Sequence, residues 1–121
     1  MYGIKTPVEW PAMETVIGND CWIGDDVMVL GGASISDGCI IGARSMLVEG
    51  QITEPFCIYA GSPAKLIRPR FPEAVTRLLM KLRYWDRPLS WIQENKAIFE
   101  ADLSKDEAFA AAALGKLIEN G

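Results

Sequence analysis

Large aliphatic residues recur at every sixth position: Ile17, Ile23, Val29, Ile35, Ile41 and Leu47. Four positions after each stand Cys21, Val27, Ala33, Cys39, Ser45 and Gln51, small in every case but the last. A period of six fits neither a helix of about 3.6 residues per turn nor a long strand of period two. It fits a short strand followed by a sharp corner, and three such units close one triangular coil. The aliphatic residue points into the prism and the small residue packs beside it. Corners need residues that tolerate positive φ, and the sequence offers Gly18-Asn19-Asp20, Gly24-Asp25-Asp26, Gly31-Gly32, Asp37-Gly38 and Gly50 there. The expected fold is a short left-handed parallel β-helix of about two to three coils, followed by C-terminal α-helices. That handedness departs from the usual right-handed crossover, so the repeat itself has to carry the assignment.

The same register describes the outside of the prism. Trp22, Ile40 and Ile58 fall one coil apart, as do Met28 and Met46, giving two apolar outward columns. Such columns mark an interface with another subunit or with the helices. Cys21, Cys39 and Cys57 share the coil spacing too. Stacked coils lie about 4.8 Å apart, longer than the Cβ separation of about 3.8 Å in a disulfide, so these cysteines read as small buried residues.

Glu54-Pro55 ends the regular pattern, and Tyr59 to Ala64 has turn chemistry. Beyond Pro72, Val75, Leu78, Leu79 and Leu82 follow helical spacing. Pro88 suits a second helix start. Ser104-Lys105-Asp106-Glu107 has capping-box spacing for a third. The expected organisation is an extended segment over 1–16, the β-helix over 17–60, a basic loop over 61–71 and helices over 72–121.

Composition narrows the function. The chain contains no histidine. That excludes a His-ligated zinc site, a Ser-His-Asp triad, a histidine-bound carbonic anhydrase centre on the same prism, and any imidazole base supplied by these residues. No metal is expected. Three cysteines imply no closed disulfide framework, and a reducing cytoplasm is the expected location. No apolar run approaches the ~20 residues of a membrane span. The net charge of -4 argues against nucleic acid or a membrane surface as partner. Yet Lys65 to Arg87 holds seven basic residues against two acidic ones, while the rest of the chain holds five against fourteen. Lys65, Arg68 and Arg70 form the tightest group and suit a small polyanion.

The stretches Ile17 to Gly24, Ile35 to Ala43 and Ala60-Gly-Ser-Pro-Ala-Lys-Leu-Ile-Arg68 resemble the hexapeptide-repeat acyltransferases. Phe71 to Leu79 together with Tyr84-Trp-Asp-Arg-Pro88 resembles their xenobiotic branch, which includes the chloramphenicol and streptogramin acetyltransferases. The resemblance implies a homotrimer that binds acetyl-CoA between neighbouring prisms and acetylates a hydroxyl-bearing acceptor. It implies that Asp25 and Ala43 meet the pantetheine arm, that Lys65 and Arg68 meet the CoA phosphates, and that Trp22 lines the acceptor region. Glu49 stands where the wider family often has lysine, and a carboxylate there would oppose a phosphate. The family's base is a histidine upstream of the Ile17 segment, so the expectation is a truncated and catalytically impaired chain with no catalytic residue to assign. Glu9, Glu14, Asp20, Asp25 and Asp26 are the carboxylates available as substitutes. The alternative expectation is a non-catalytic trimer that binds CoA or serves as a structural module.

Overall fold

A computed structural model describes residues 13–120. Six two-residue strands follow one another at the spacing of the repeat: β1 (Val16–Ile17), β2 (Trp22–Ile23), β3 (Met28–Val29), β4 (Ser34–Ile35), β5 (Ile40–Ile41) and β6 (Met46–Leu47). The first three pair in parallel with the last three, one coil later: Ile17 with Ile35, Ile23 with Ile41, and Val29 with Leu47. The three ladders are the three faces of a prism. Two longer strands, β7 (Cys57–Ala60) and β8 (Lys65–Pro69), extend the second face in the order β2-β5-β7-β8. The extended segment expected over 1–16 lies mostly outside the described residues.

The corners obey the same period. Positive φ falls at Asp20, Asp26, Gly32, Gly38, Arg44, Gly50 and Phe56, one residue in every six. Only three of these are glycine. The paired strands on either side fix the bend, and whatever residue stands at that position must adopt it. Gly24 serves a different need: its φ is not positive, but a Cβ there would lie 2.7 Å from the backbone nitrogen of Ala43. Successive corners are stacked too closely for a side chain at that point.

Inward positions divide sharply by coil. Ile35, Ile41 and Leu47 in the second coil are at most 1% exposed, whereas Ile17 in the first is 51% exposed. Stacking of one coil on the next removes the inward residue from water, and the first described coil has such a neighbour on one side only. The inward series continues past Leu47 as Thr53 and Tyr59, both buried. Their polar atoms are matched: Ser36 N–H donates to Thr53 Oγ1 at 2.8 Å, and Glu54 N–H donates to the Tyr59 hydroxyl oxygen at 2.9 Å.

The solenoid ends where the chain folds back. Met46 N–H donates to Gly61 O and Ala64 N–H to Met46 O, and β8 returns antiparallel on β7. Residues 61–71, expected as a loop, thus contain a strand. Its residues are exposed throughout, so no alternation of apolar and polar side chains announced it.

Helices α1 (Glu73–Leu82), α2 (Leu89–Glu94), α3 (Lys96–Glu100) and α4 (Glu107–Asn120) follow. The chain is therefore mixed, β then α. Val75, Leu79 and Leu82 of α1 bury against Leu103, Ala110 and Leu114, and Phe56 from a prism corner enters the same cluster. The third helix of the sequence reading starts later than its expected cap. Asp106 Oδ1 accepts from Phe109 N–H at 3.0 Å, which makes Asp106 the N-cap of α4. Ser104 instead donates its backbone N–H to Asp102 Oδ1 at 3.0 Å, in the turn before the helix. Among the described residues no helix is long and apolar enough to cross a membrane.

Candidate functional site

The second prism face carries Trp22, Lys65 and Arg68 of the five residues singled out in the sequence and is bordered by the other two, Asp25 and Ala43. Its outward column is Trp22, Ile40 and Ile58, in register across β2, β5 and β7. Trp22 is 63% exposed at the top of this column. Arg68 of β8 pairs with Ile58, and Lys65 pairs with Ala60 at the strand's other end.

One corner bounds this face through Asp25 and Ala43. These occupy the same position in successive coils and so lie about 4.8 Å apart along the prism edge. Arg44 N–H donates to Asp25 O at 2.8 Å, which locks the two turns together. Both residues are exposed. Gly42 and Ala60 continue the edge downward, with Ala60 Cβ 3.1 Å from the point where a Cβ on Gly42 would sit. Lys65 is therefore at the foot of the edge that Asp25 and Ala43 form, while Arg68 and Trp22 sit on the adjoining face. The structure brings all five to one side of the prism.

Lys65 and Arg68 are exposed and enter no ion pair among the described residues. Arg68 donates only to its neighbour, Pro69 O, at 3.2 Å. Arg70, grouped with them in the sequence, departs from them. Its guanidinium lies 4.9 Å from the Phe71 ring centroid and donates to Gly38 O at 2.6 Å. It faces the opposite corner, where Tyr84 donates a hydrogen bond to Asp20. Glu49 stands on the third corner, its Cγ 3.7 Å from the point where a Cβ on Gly32 would sit, and is not on the Asp25–Ala43 edge.

Of the carboxylates considered as bases, Glu9 lies outside the described residues. Glu14, Asp20, Asp25 and Asp26 are all exposed. The cysteines are free thiols. Burial pushes the Cys21 and Cys57 thiols up from their ordinary value, which makes them poor nucleophiles at neutral pH. Among the described residues no group of three or more histidine, cysteine or acidic side chains is placed to hold a metal.

The repeats decide the relationship. The family described as bacterial transferase hexapeptide, six repeats, matches residues 14–48. Residues 14–48 thus carry the repeat of the hexapeptide transferases. A chloramphenicol acetyltransferase of Morganella morganii is 43% identical over 82 residues, 68% of this chain and 38% of that protein. A probable macrolide acetyltransferase of Lysinibacillus sphaericus is 40% identical over 94 residues, 78% of this chain and 51% of that protein. This hexapeptide-repeat chain spans about half or less of the length of these curated relatives. Among solved structures, a galactoside acetyltransferase in complex with coenzyme A is 38% identical over 46% of this chain and 26% of that one, with a TM-score of 0.42.

Proposed function

We propose that the second prism face, with its Asp25–Ala43 edge, is one wall of a coenzyme A groove in a homotrimer of left-handed prisms. The observation that carries this is the pairing of two uncommitted cations, Lys65 and Arg68, with an adjoining apolar column on the same face. Phosphate groups favour charged donors, and a guanidinium can meet two phosphate oxygens at once. A pantetheine arm is a narrow chain of amides and methylenes. Along the Asp25–Ala43 edge it would meet backbone groups and the Ala43 methyl, with the exposed Asp25 and Arg44 side chains at the same corner. When bound, acetyl-CoA supplies the acetyl group. The chain's own residues would hold the phosphates at Lys65 and Arg68, and Trp22 would present its ring to a hydroxyl-bearing acceptor.

Trimer formation supplies the second wall. Ile52 is 74% exposed, and Val16, Met28, Leu66 and Ile67 are also exposed large apolar residues on the prism or its return strand. Burying them between protomers is the ordinary way to remove so much apolar surface from water.

The acceptor hydroxyl must lose a proton, and this chain offers no imidazole to take it. Loss of a general base commonly lowers rates by ~10²–10⁴. That favours a second reading, a trimer that binds acetyl-CoA without turning it over. The two readings separate in one assay. CoA release from acetyl-CoA with chloramphenicol as acceptor supports transfer. Saturable acetyl-CoA binding without release supports the non-catalytic trimer. A monomer by light scattering that binds no acetyl-CoA contradicts both.

A further inference from the structure

The corner opposite the Asp25–Ala43 edge holds a cavity of about 290 Å³ between the prism and the helices. Its walls include Phe56, Phe71 and Leu103, and its charged or hydrogen-bonding side chains are Asp20, Arg70, Tyr84 and Asp102, the last already engaged by Ser104 N–H at 3.0 Å and by Lys105 at 4.0 Å. The opposite charges are both only partly used. Tyr84 donates to Asp20 Oδ2, while Asp20 Oδ1 accepts from no donor among the described residues of this corner. Arg70 spends one N–H on Gly38 O and has no ion pair among the described residues. Its guanidinium carbon lies over Phe71 and Phe56, at 4.9 and 5.7 Å from their ring centroids. A cation so fixed loses little freedom on binding an anion. One anchored cation and one carboxylate with a spare oxygen, beside an aromatic and aliphatic wall, is the complement of a small zwitterion with an apolar body.

We propose that this corner binds a free α-amino acid with an aliphatic or aromatic side chain, its carboxylate on Arg70, its ammonium on Asp20 Oδ1 and its side chain against Phe71 and Leu103. The volume is at the lower end for small-molecule sites, which suits a ligand of that size. Asp20 and Arg70 also line the shallow depression that contains Trp22 and Ile40, so an occupant would adjoin the proposed acceptor wall. The inference does not depend on coenzyme A binding.

The full chain is titrated calorimetrically with L-phenylalanine, N-acetyl-L-phenylalanine and L-phenylalaninamide. Saturable binding of the free amino acid is expected, with each capped probe weaker by roughly tenfold or more, since each loses one charged hydrogen bond. Asp20→Asn and Arg70→Gln should each weaken the free amino acid by a similar factor. Asp20→Asn keeps an acceptor for Tyr84, so it remains informative where Arg70→Gln fails to fold. Absence of saturation at about 10 mM ligand overturns the proposal. So does equal affinity for the free and capped probes, or full affinity in a folded Asp20→Asn variant.

Discussion

The hydroxyl of Tyr84 donates a hydrogen bond to the carboxylate of Asp20, 64 residues earlier in the chain. Asp20 is a positive-φ corner of the prism, and Tyr84 opens the short 3₁₀ turn Tyr84–Asp86 after α1. One bond thus ties the helical layer to the repeat. Phe56 does the same by packing, since it is a corner residue buried in the helical core.

The bond predicts an alkaline stability profile. Burial first, and then the adjacent Asp20 carboxylate, hold the Tyr84 phenol well above its ordinary value. Above about pH 10 the unfolded chain gives up that proton while the folded chain keeps it. Stability from this group is complete below that pH and declines as pH rises through it. Tyr84→Phe should flatten the decline, leaving a part due to Tyr59, Cys21 and Cys57, whose phenol and thiols burial also pushes up. Urea midpoints at pH 8 and about pH 10.5 measure this. Parallel losses in both proteins would show that Tyr84 does not report on folding.

Inward residues should differ in cost by coil. Ile35→Ala removes a side chain that is 1% exposed and should destabilise by about 2–5 kcal/mol. Ile17→Ala, at the half-exposed position of the first coil, should cost about 1 kcal/mol or less. Equal costs in chemical denaturation would mean that the first coil is covered in solution.

Two glycines at matching corners separate backbone strain from crowding. Gly50 has φ +74° and open space around a would-be Cβ, so Gly50→Ala should cost about 1–2 kcal/mol. Gly38 has φ +70°, and a Cβ would lie 2.4 Å from two atoms of the Phe56 ring. That ring is held by the helical core, so Gly38→Ala should exceed the Gly50 variant by a further ~1–3 kcal/mol. Thermal midpoints of the two variants decide it.

The cap of α4 gives a simpler comparison. Asp106→Ala should lose about 1 kcal/mol and Ser104→Ala less, because it is Asp106 that accepts the helix N–H. The reverse order in helicity and midpoint would place the cap at Ser104.

Much of this fold is legible in the sequence, and the reasons are local. Ile17 to Leu47 repeat because every coil must fill the same interior. The repeat becomes invisible at Thr53 and Tyr59, which occupy the same interior positions as polar residues with matched hydrogen bonds. Corners at Arg44 and Phe56 carry no turn signature, since the flanking strands impose their φ. β8 has no buried face to set an alternation. At the site, the Trp22–Ile40–Ile58 column and the Asp25–Ala43 edge follow from the coil length alone. The Asp20–Tyr84 bond and the turning away of Arg70 depend on how the helices dock, and no spacing in the sequence encodes a contact across 64 residues.

The central claim is that Lys65 and Arg68 hold the phosphates of a coenzyme A on the second prism face. Its most direct measurement is a calorimetric titration with acetyl-CoA of the unaltered protein and of the Lys65→Glu/Arg68→Glu variant. Both positions are exposed on β8, so the variant should fold as the parent does. The account predicts saturable binding near one site per chain, lost or weakened by roughly a hundredfold in the variant, as expected when two charged contacts turn repulsive. Unchanged affinity in the folded variant, or no binding by the parent at millimolar ligand, would contradict it.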